Sequence, residues 1–261
     1  MNSSLYFKLL FSQRYRAEKV KIEWQPEPRT LPSELLQNMH EHWQTTILAT
    51  EKQGHIFNGK LCRLNSWRCA RTTLTLSLGQ TSYKELLFSN SQVEVIEKKF
   101  GQESLSRALG ISAILISADG RLILIKRSSR VGEYPQAIDV LGGHIHPRDH
   151  AVSGIPDPFT AMRDELLEEI DLTVSQDETF ECIGLVETAN TRKPELIFHV
   201  NSKLPEQKII KKGRQKQSPE ISDLFSIANN RVEILAFLNR SKEHMSFSAI
   251  GALWLYAHSI A

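Results

Sequence analysis

Residues 141–172 run LGGHIHPRDHAVSGIPDPFTAMRDELLEEIDL. Within DELLEEIDL, Glu165, Glu168 and Glu169 stand at i, i+3 and i+4, so on a helix three carboxylates share one face within a turn. Like charges that close repel. The pattern fits either a solvated acidic face or a face built to hold a cation. Leu166, Leu167, Ile170 and Leu172 are core-type residues that would fix the helix's rotation. Before the helix come a strand ending in Gly142-Gly143 and a long loop carrying Pro147, Gly154, Pro156 and Pro158. A strand, a glycine turn and a carboxylate-bearing helix make a platform for a hard divalent cation, which takes oxygen ligands and can activate water against a diphosphate.

Outward from this stretch, ISAILIS (111–117) and RLILIKR (121–127) flank Asp119-Gly120, a hairpin signal. AIDVLGG (137–143) reads as a third strand. A helix over 159–170, strands near 180–186, 196–201 and 224–227, and two closing helices complete this half. KIIKKGRQK (208–216) lacks interleaved aromatics and reads as a solvated loop, with RNA binding a last alternative. Toward the N-terminus, segments 5–11 and 20–24 read as a strand pair. Leu35, Leu36, Met39, Trp43, Ile47 and Leu48 recur at helical steps, predicting a helix from Ser33, its N-cap, to about Lys52. Alternating segments follow at 61–64 and 73–78, then the polar loop of LGQTSYKELLFSN (78–90), then a helix from Gln92 to about Leu109. The break near Gly110 suggests a domain over 1–109 and a second over 110–261.

The chain's 261 residues, 41% hydrophobic and 24% charged, fit a globular protein and exclude a disordered or collagen-like one. Thirty-two basic against 30 acidic residues leave +2, too balanced to imply a polyanion partner. Cys62, Cys69 and Cys182 lack metal-ligand spacing and read as reduced thiols in the cytoplasm. The opening MNSSLYFKLLFSQRYR lacks the pattern of a secretory signal, and the apolar stretch 249–257 is far short of the ~20 residues that span a bilayer. A soluble protein without a membrane partner is expected.

The sequence resembles the Nudix hydrolase family, whose signature is G-x5-E-x7-R-E-U-x-E-E-x-G-U with U a bulky aliphatic residue. Glu165, Leu166, Glu168, Glu169 and Leu172 match it. Asp164 stands in place of the arginine, with Arg163 one position early, and Asp171 replaces the glycine. Counted from Gly143, Asp149 takes the first glutamate's slot, and 14 residues instead of seven separate it from Asp164. A narrower likeness is to the UDP-sugar hydrolases of the family. It is carried by RLNS (63–66), LGQTSYKELLFSN (78–90), IKRSSRVGEYP (125–135), IDVLGGHIHP (138–147) and GALWLY (251–256), and so runs over nearly the full length, weakest at 12–60 and 203–219.

The resemblance implies an α/β fold, a Nudix α/β/α sandwich with a mixed sheet, preceded by a smaller α+β N-terminal domain that helps bind nucleotide. It implies Mg2+-dependent hydrolysis of UDP-glucose or UDP-galactose to UMP and sugar 1-phosphate, with Mn2+ able to replace Mg2+. Another nucleoside diphosphate such as ADP-ribose, or a non-catalytic nucleotide-sugar sensor, are the alternatives. Glu165, Glu168 and Glu169 would be the metal ligands. Asp149 either helps there or caps a loop. Glu195 and Glu220 are candidates for the general base or a further ligand. Arg127 and Arg130 either meet phosphate or form a basic hairpin edge. Gly143 belongs to the substrate turn. Tyr83 would stack on uracil, with Thr81, Ser82, Lys84 and Asn90 hydrogen bonding, although Thr81 or Ser82 followed by Glu85 equally reads as a capped helix start. His144 and His146 read as loop-packing residues.

Overall fold

A computed structural model describes residues 3–48, 57–175 and 178–260. The chain forms strands β1 (Phe7–Phe11) and β2 (Val20–Trp24), helix α1 (Ser33–His42), strands β3 (Lys60–Cys69) and β4 (Leu74–Ser82), and helices α2 (Tyr83–Ser91) and α3 (Val93–Phe100). It continues through β5 (Gly110–Ile116), β6 (Arg121–Arg127), β7 (Ile138–Asp139), β8 (Leu141–His144), the short hairpin β9 (Ala151–Val152) and β10 (Ile155–Pro156), and α4 (Pro158–Ile170). The last elements are β11 (Phe180–Thr188), β12 (Pro194–Asn201), α5 (Glu206–Lys216), β13 (Ile221–Ala228), α6 (Arg231–Ser241) and α7 (Phe247–Ser259).

The main sheet has the order β1-β11-β12-β5-β6-β13, with β7 beside β6 and β8 beside β5. It is mixed: β12 and β5 run parallel, and the other pairs are antiparallel. Alternation along the hairpin sorts its side chains onto two faces. Ile111, Ala113, Leu115, Ile123 and Ile125 enter one core with Phe159, Met162, Leu166 and Ile170 of α4. Ile114, Ile116, Leu122 and Leu124 enter the other with Ile234 of α6 and Leu253 of α7. Helices on both faces of a mixed sheet make this an α/β architecture. A three-stranded sheet, β2-β4-β3, adds Leu64, Leu74, Leu76 and Leu78 to the first core. Among the described residues no helix is long and apolar enough to cross a membrane.

Several local expectations are corrected. Segments 5–11 and 20–24 do form strands but do not pair: β1 lies against β11 and β2 against β4. Phe7 and Phe11 are each buried in a different core, and that burial requires the main sheet. Pro32, not Ser33, is the N-cap of α1, and it supplies no side-chain bond. The helix passes into a π-helical turn over Trp43–Leu48; residues 49–52 of the expected helix lie outside the described residues. The polar loop is instead the end of β4 and all of α2. Helix α3 ends at Phe100, well before Leu109, because Gly101 takes φ 84°. The expected strand 137–143 is two strands with different partners, β7 on β6 and β8 on β5. Residues 208–216 are helical, in α5: Ile209 and Gly213 are buried, and a Cβ on Gly213 would come within 2.9 Å of the Leu224 methyls, so the helix packs closely against the sheet there.

Candidate active site

Helix α4 starts cleanly because Asp157 accepts the N–H groups of Phe159 and Thr160 and Pro158 takes the first turn. It stops at Asp171, which adopts the left-handed conformation (φ 55°). Burial of Phe159, Leu166 and Ile170 sets its rotation. Glu169 is then only 4% exposed, Glu165 half-buried and Glu168 exposed. The glycine pair of β8 lies under this face. The Gly142 N–H donates to Glu169 Oε2 at 3.2 Å. A Cβ on Gly142 would sit 2.1 Å from the Ile111 carbonyl oxygen, and one on Gly143 would sit 1.9 Å from Glu165 Oε1. At Gly142 the clash is with backbone and no side chain fits, whereas at Gly143 a side chain would have to displace the Glu165 carboxylate.

Burial, then the charges of Glu220 and Glu168, push the Glu165 carboxyl up to about 8. Burial, then Glu165 and Glu220, push Glu169 well above the usual carboxylate range. Glu220, just before β13, thus lies within electrostatic reach of Glu165 and Glu169. Its carbonyl accepts the Ser128 N–H at 2.7 Å. Glu165, Glu168, Glu169 and Glu220 offer only oxygen donors, the kind hard divalent cations take, and Glu165 and Glu169 are withdrawn from water. The chemistry of Glu165, Glu168 and Glu169 fits such an ion. Their side chains are not drawn together, since among the described residues no three His, Cys, Asp or Glu groups stand close enough to hold one. Asp149 stands apart, exposed and 2.9 Å from His146 Nδ1. Arg163, one position before the pattern's arginine, stacks on the Phe180 ring at 4.8 Å.

A second polar group adjoins the platform. Arg127 Nη1 is 3.4 Å from Asp139 Oδ2, and its Nε donates to the Glu133 carbonyl at 3.0 Å. The Glu133 carboxylate accepts from Asn90 Nδ2 at 2.9 Å and lies 3.3 Å from Lys193 Nζ. Although burial opposes its charge, Lys193, His144 and Arg127 hold the Glu133 carboxyl down at about 2. Lys193, 8% exposed, is also 3.6 Å from Glu195 Oε2, while Glu195 Oε1 accepts Ser112 Oγ at 2.6 Å. Glu195 therefore belongs to this ion network and not to the group formed by Glu165, Glu169 and Glu220. His144 Nε2 is buried without a hydrogen bond, 3.6 Å from Glu133; burial, then Lys193, lowers its pKa to about 4, so the ring is neutral at neutral pH.

Helix α2 brings its N-terminus to the same place. Tyr83 lies so near the 128–137 loop that a Cβ on Gly132 would be 2.3 Å from its hydroxyl. Burial first, then Glu133 and Glu220, push the Tyr83 phenol up to about 12, leaving it a donor. Ser82 is the N-cap, accepting the Glu85 N–H, and the Lys84 N–H donates to Asn58. Thr81 bonds to Ser106 and Asn90 to Glu133. Arg130 is exposed at the loop's edge. Glu133, Lys193 and Asp139 carried no role in the sequence reading. Asp139 did leave a signal: a lone charge inside an apolar strand needs a buried partner.

Over 161 residues the chain is 30% identical to uridine diphosphate glucose pyrophosphatase NUDT22 of Mus musculus, a match covering 51% of this chain and 52% of that protein. The Homo sapiens protein of that name is 30% identical over 162 residues, with the same coverage of both. The likeness supports the Nudix hydrolase family. The match runs over about half of the chain, not nearly all of it, and the chain spans about half the length of the curated relatives it matches. No family model matches the chain. Among solved structures, the MutT protein of Methanosarcina mazei Go1 is 14% identical, with a TM-score of 0.40, over 58% of this chain and 94% of that one.

Proposed function

We propose that the protein hydrolyses a UDP-sugar, UDP-glucose or UDP-galactose, to UMP and a sugar 1-phosphate. The observation that carries this reading is the group of buried and half-buried carboxylates on α4, held over the Gly142-Gly143 turn and faced by Glu220. The likeness to uridine diphosphate glucose pyrophosphatases supports the choice of nucleotide.

In this proposal Glu165, Glu168 and Glu169 hold Mg2+, or Mn2+ in its place. When bound, such an ion neutralises diphosphate charge and makes water a better nucleophile. The protein's own groups do the rest. Arg127 and Arg130 meet the phosphates, Arg127 from a guanidinium already oriented by Asp139 and the Glu133 carbonyl. Tyr83 meets the uracil, so residues 1–109 help enclose the nucleotide bound by 110–261. Glu220 takes the proton of the attacking water as the new P–O bond forms and the bridging P–O bond breaks. Glu195 keeps Lys193, and through it the Glu133 loop, in place. The three free thiols, Cys62, Cys69 and Cys182, support a reducing, cytoplasmic setting.

Release of UMP from UDP-glucose, with and without Mg2+ and beside ADP-ribose, tests the proposal. Mg2+-dependent release favouring UDP-glucose is expected. Cleavage of ADP-ribose alone would replace the substrate. Binding of UDP-glucose without turnover would replace the enzyme by a nucleotide-sugar sensor, a reading for which Asp164 in the arginine's position is the motive.

A further inference from the structure

A cavity of about 800 Å3 opens beside β3 and β4, and none of its lining residues belongs to the carboxylate platform or to the ion network around Glu133. Its volume lies within the range of small-molecule sites. Three guanidinium groups line it, from three separate segments: Arg29 before α1, Arg63 on β3 and Arg107 before β5. Arg29 is paired with Glu85 at 2.7 Å and Arg107 with Glu187 at 3.0 Å. Arg63 has no carboxylate partner among the described residues; it donates to the carbonyls of Ser106, Glu103 and Leu105 and to Asn65 Oδ1.

Donor capacity is left over. Arg29 Nε is buried without a hydrogen bond. Arg107 uses Nε on the Leu64 carbonyl and Nη1 on Glu187, leaving Nη2 without a protein partner among the described residues. Burial, then the nearby Arg29 and Arg107, lower the Arg63 pKa to about 10. An anion in the cavity would relieve that repulsion and meet Arg107 Nη2, a donor that no protein group among the described residues meets. The remaining walls suit hydroxyl groups, with the amides of Gln25, Asn65 and Gln80 and the carboxylates of Glu27 and Glu103.

We propose that this cavity is a second binding site, for a phosphate monoester of a small polyhydroxylated molecule. The phosphate sits among the three arginines, where charge-assisted hydrogen bonds are strongest, and the hydroxyls face the amides and glutamates. Sugar phosphates and nucleoside monophosphates share this chemistry.

Calorimetric titration of the full chain in EDTA with inorganic phosphate, glucose 6-phosphate and AMP tests the site. Glucose 6-phosphate or AMP, whichever carries the fitting hydroxyls, should bind at millimolar concentration or below and more tightly than inorganic phosphate. Asn65→Asp then supplies Arg63 with an ion partner in a side chain of the same shape, at the loss of the Nδ2 donor to Gln25 Oε1, and should weaken binding about tenfold or more in a variant that stays folded. Should that variant lose stability, Gln80→Glu places a carboxylate on another wall and should have the same effect. No binding of any of the three probes to the wild type would overturn the proposal, as would affinity unchanged in a folded variant.

Discussion

Glu165→Gln should stabilise the metal-free protein while removing its activity, and the size of the effect follows from the site. The Glu165 carboxyl rises from 4.5 in a solvated chain to about 8 in the fold, through burial first and then the charges of Glu220 and Glu168. Between those two values the unfolded chain has released a proton that the folded protein keeps. Stability from this group is therefore fully present below about pH 4.5 and is lost as pH rises through about 8. At about 1.4 kcal/mol per pH unit, the loss is on the order of 3 kcal/mol by pH 7 and approaches 5 kcal/mol above pH 8. Glutamine has the same shape and carries no charge to desolvate. Urea denaturation in EDTA at about pH 5 and about pH 8 should show a steep fall for the wild type and a shallower one for the variant, Glu169 supplying what slope remains. Saturating Mg2+ should raise the wild type at the higher pH and leave the variant nearly unmoved. Parallel pH profiles for the two proteins would refute the argument, since they would mean that Glu165 ionises in the fold as freely as in water.

Three further outcomes can be checked. Glu168→Gln combined with Glu169→Gln should abolish turnover of UDP-glucose with the circular dichroism spectrum unchanged; full activity would remove these residues from the metal site. Gly143→Ala should cost about a hundredfold in kcat, because the new Cβ must displace a carboxylate that lies 1.9 Å away and small misplacements of reacting groups cost that much; steady-state kinetics measures it. Lys193→Met should destabilise the fold by about 3–5 kcal/mol in urea titration, since it leaves Glu133 and Glu195 buried without their cation.

The elements legible in the sequence are those whose signal is local. Strict apolar runs around Asp119-Gly120 fall on β5 and β6, and the four-residue step from Leu166 to Ile170 falls on α4. The i, i+3, i+4 carboxylates share a helix face because 3.6 residues complete a turn. The Ser82 cap of α2 was written there too, as a hydroxyl three residues before Glu85, but the polar run around it reads equally well as a loop. Residues 208–216 look like a loop in sequence for a related reason. Their charges describe the exposed face of α5, and the buried face consists of little more than Ile209 and Gly213.

The sequence by itself determined the hairpin, the acidic helix with its glycine turn, and the residue types that suit a divalent cation, because each depends on neighbours a few positions away. Tertiary structure alone decided that β1 leaves β2 for β11, that AIDVLGG divides between two partners, and that Glu220 joins Glu165 and Glu169 while Glu195 turns to Lys193. These outcomes turn on which groups are buried together across separations of tens to hundreds of residues. Burial and the pairing of charges withdrawn from water are properties of the assembled fold, and no periodicity along the chain encodes them.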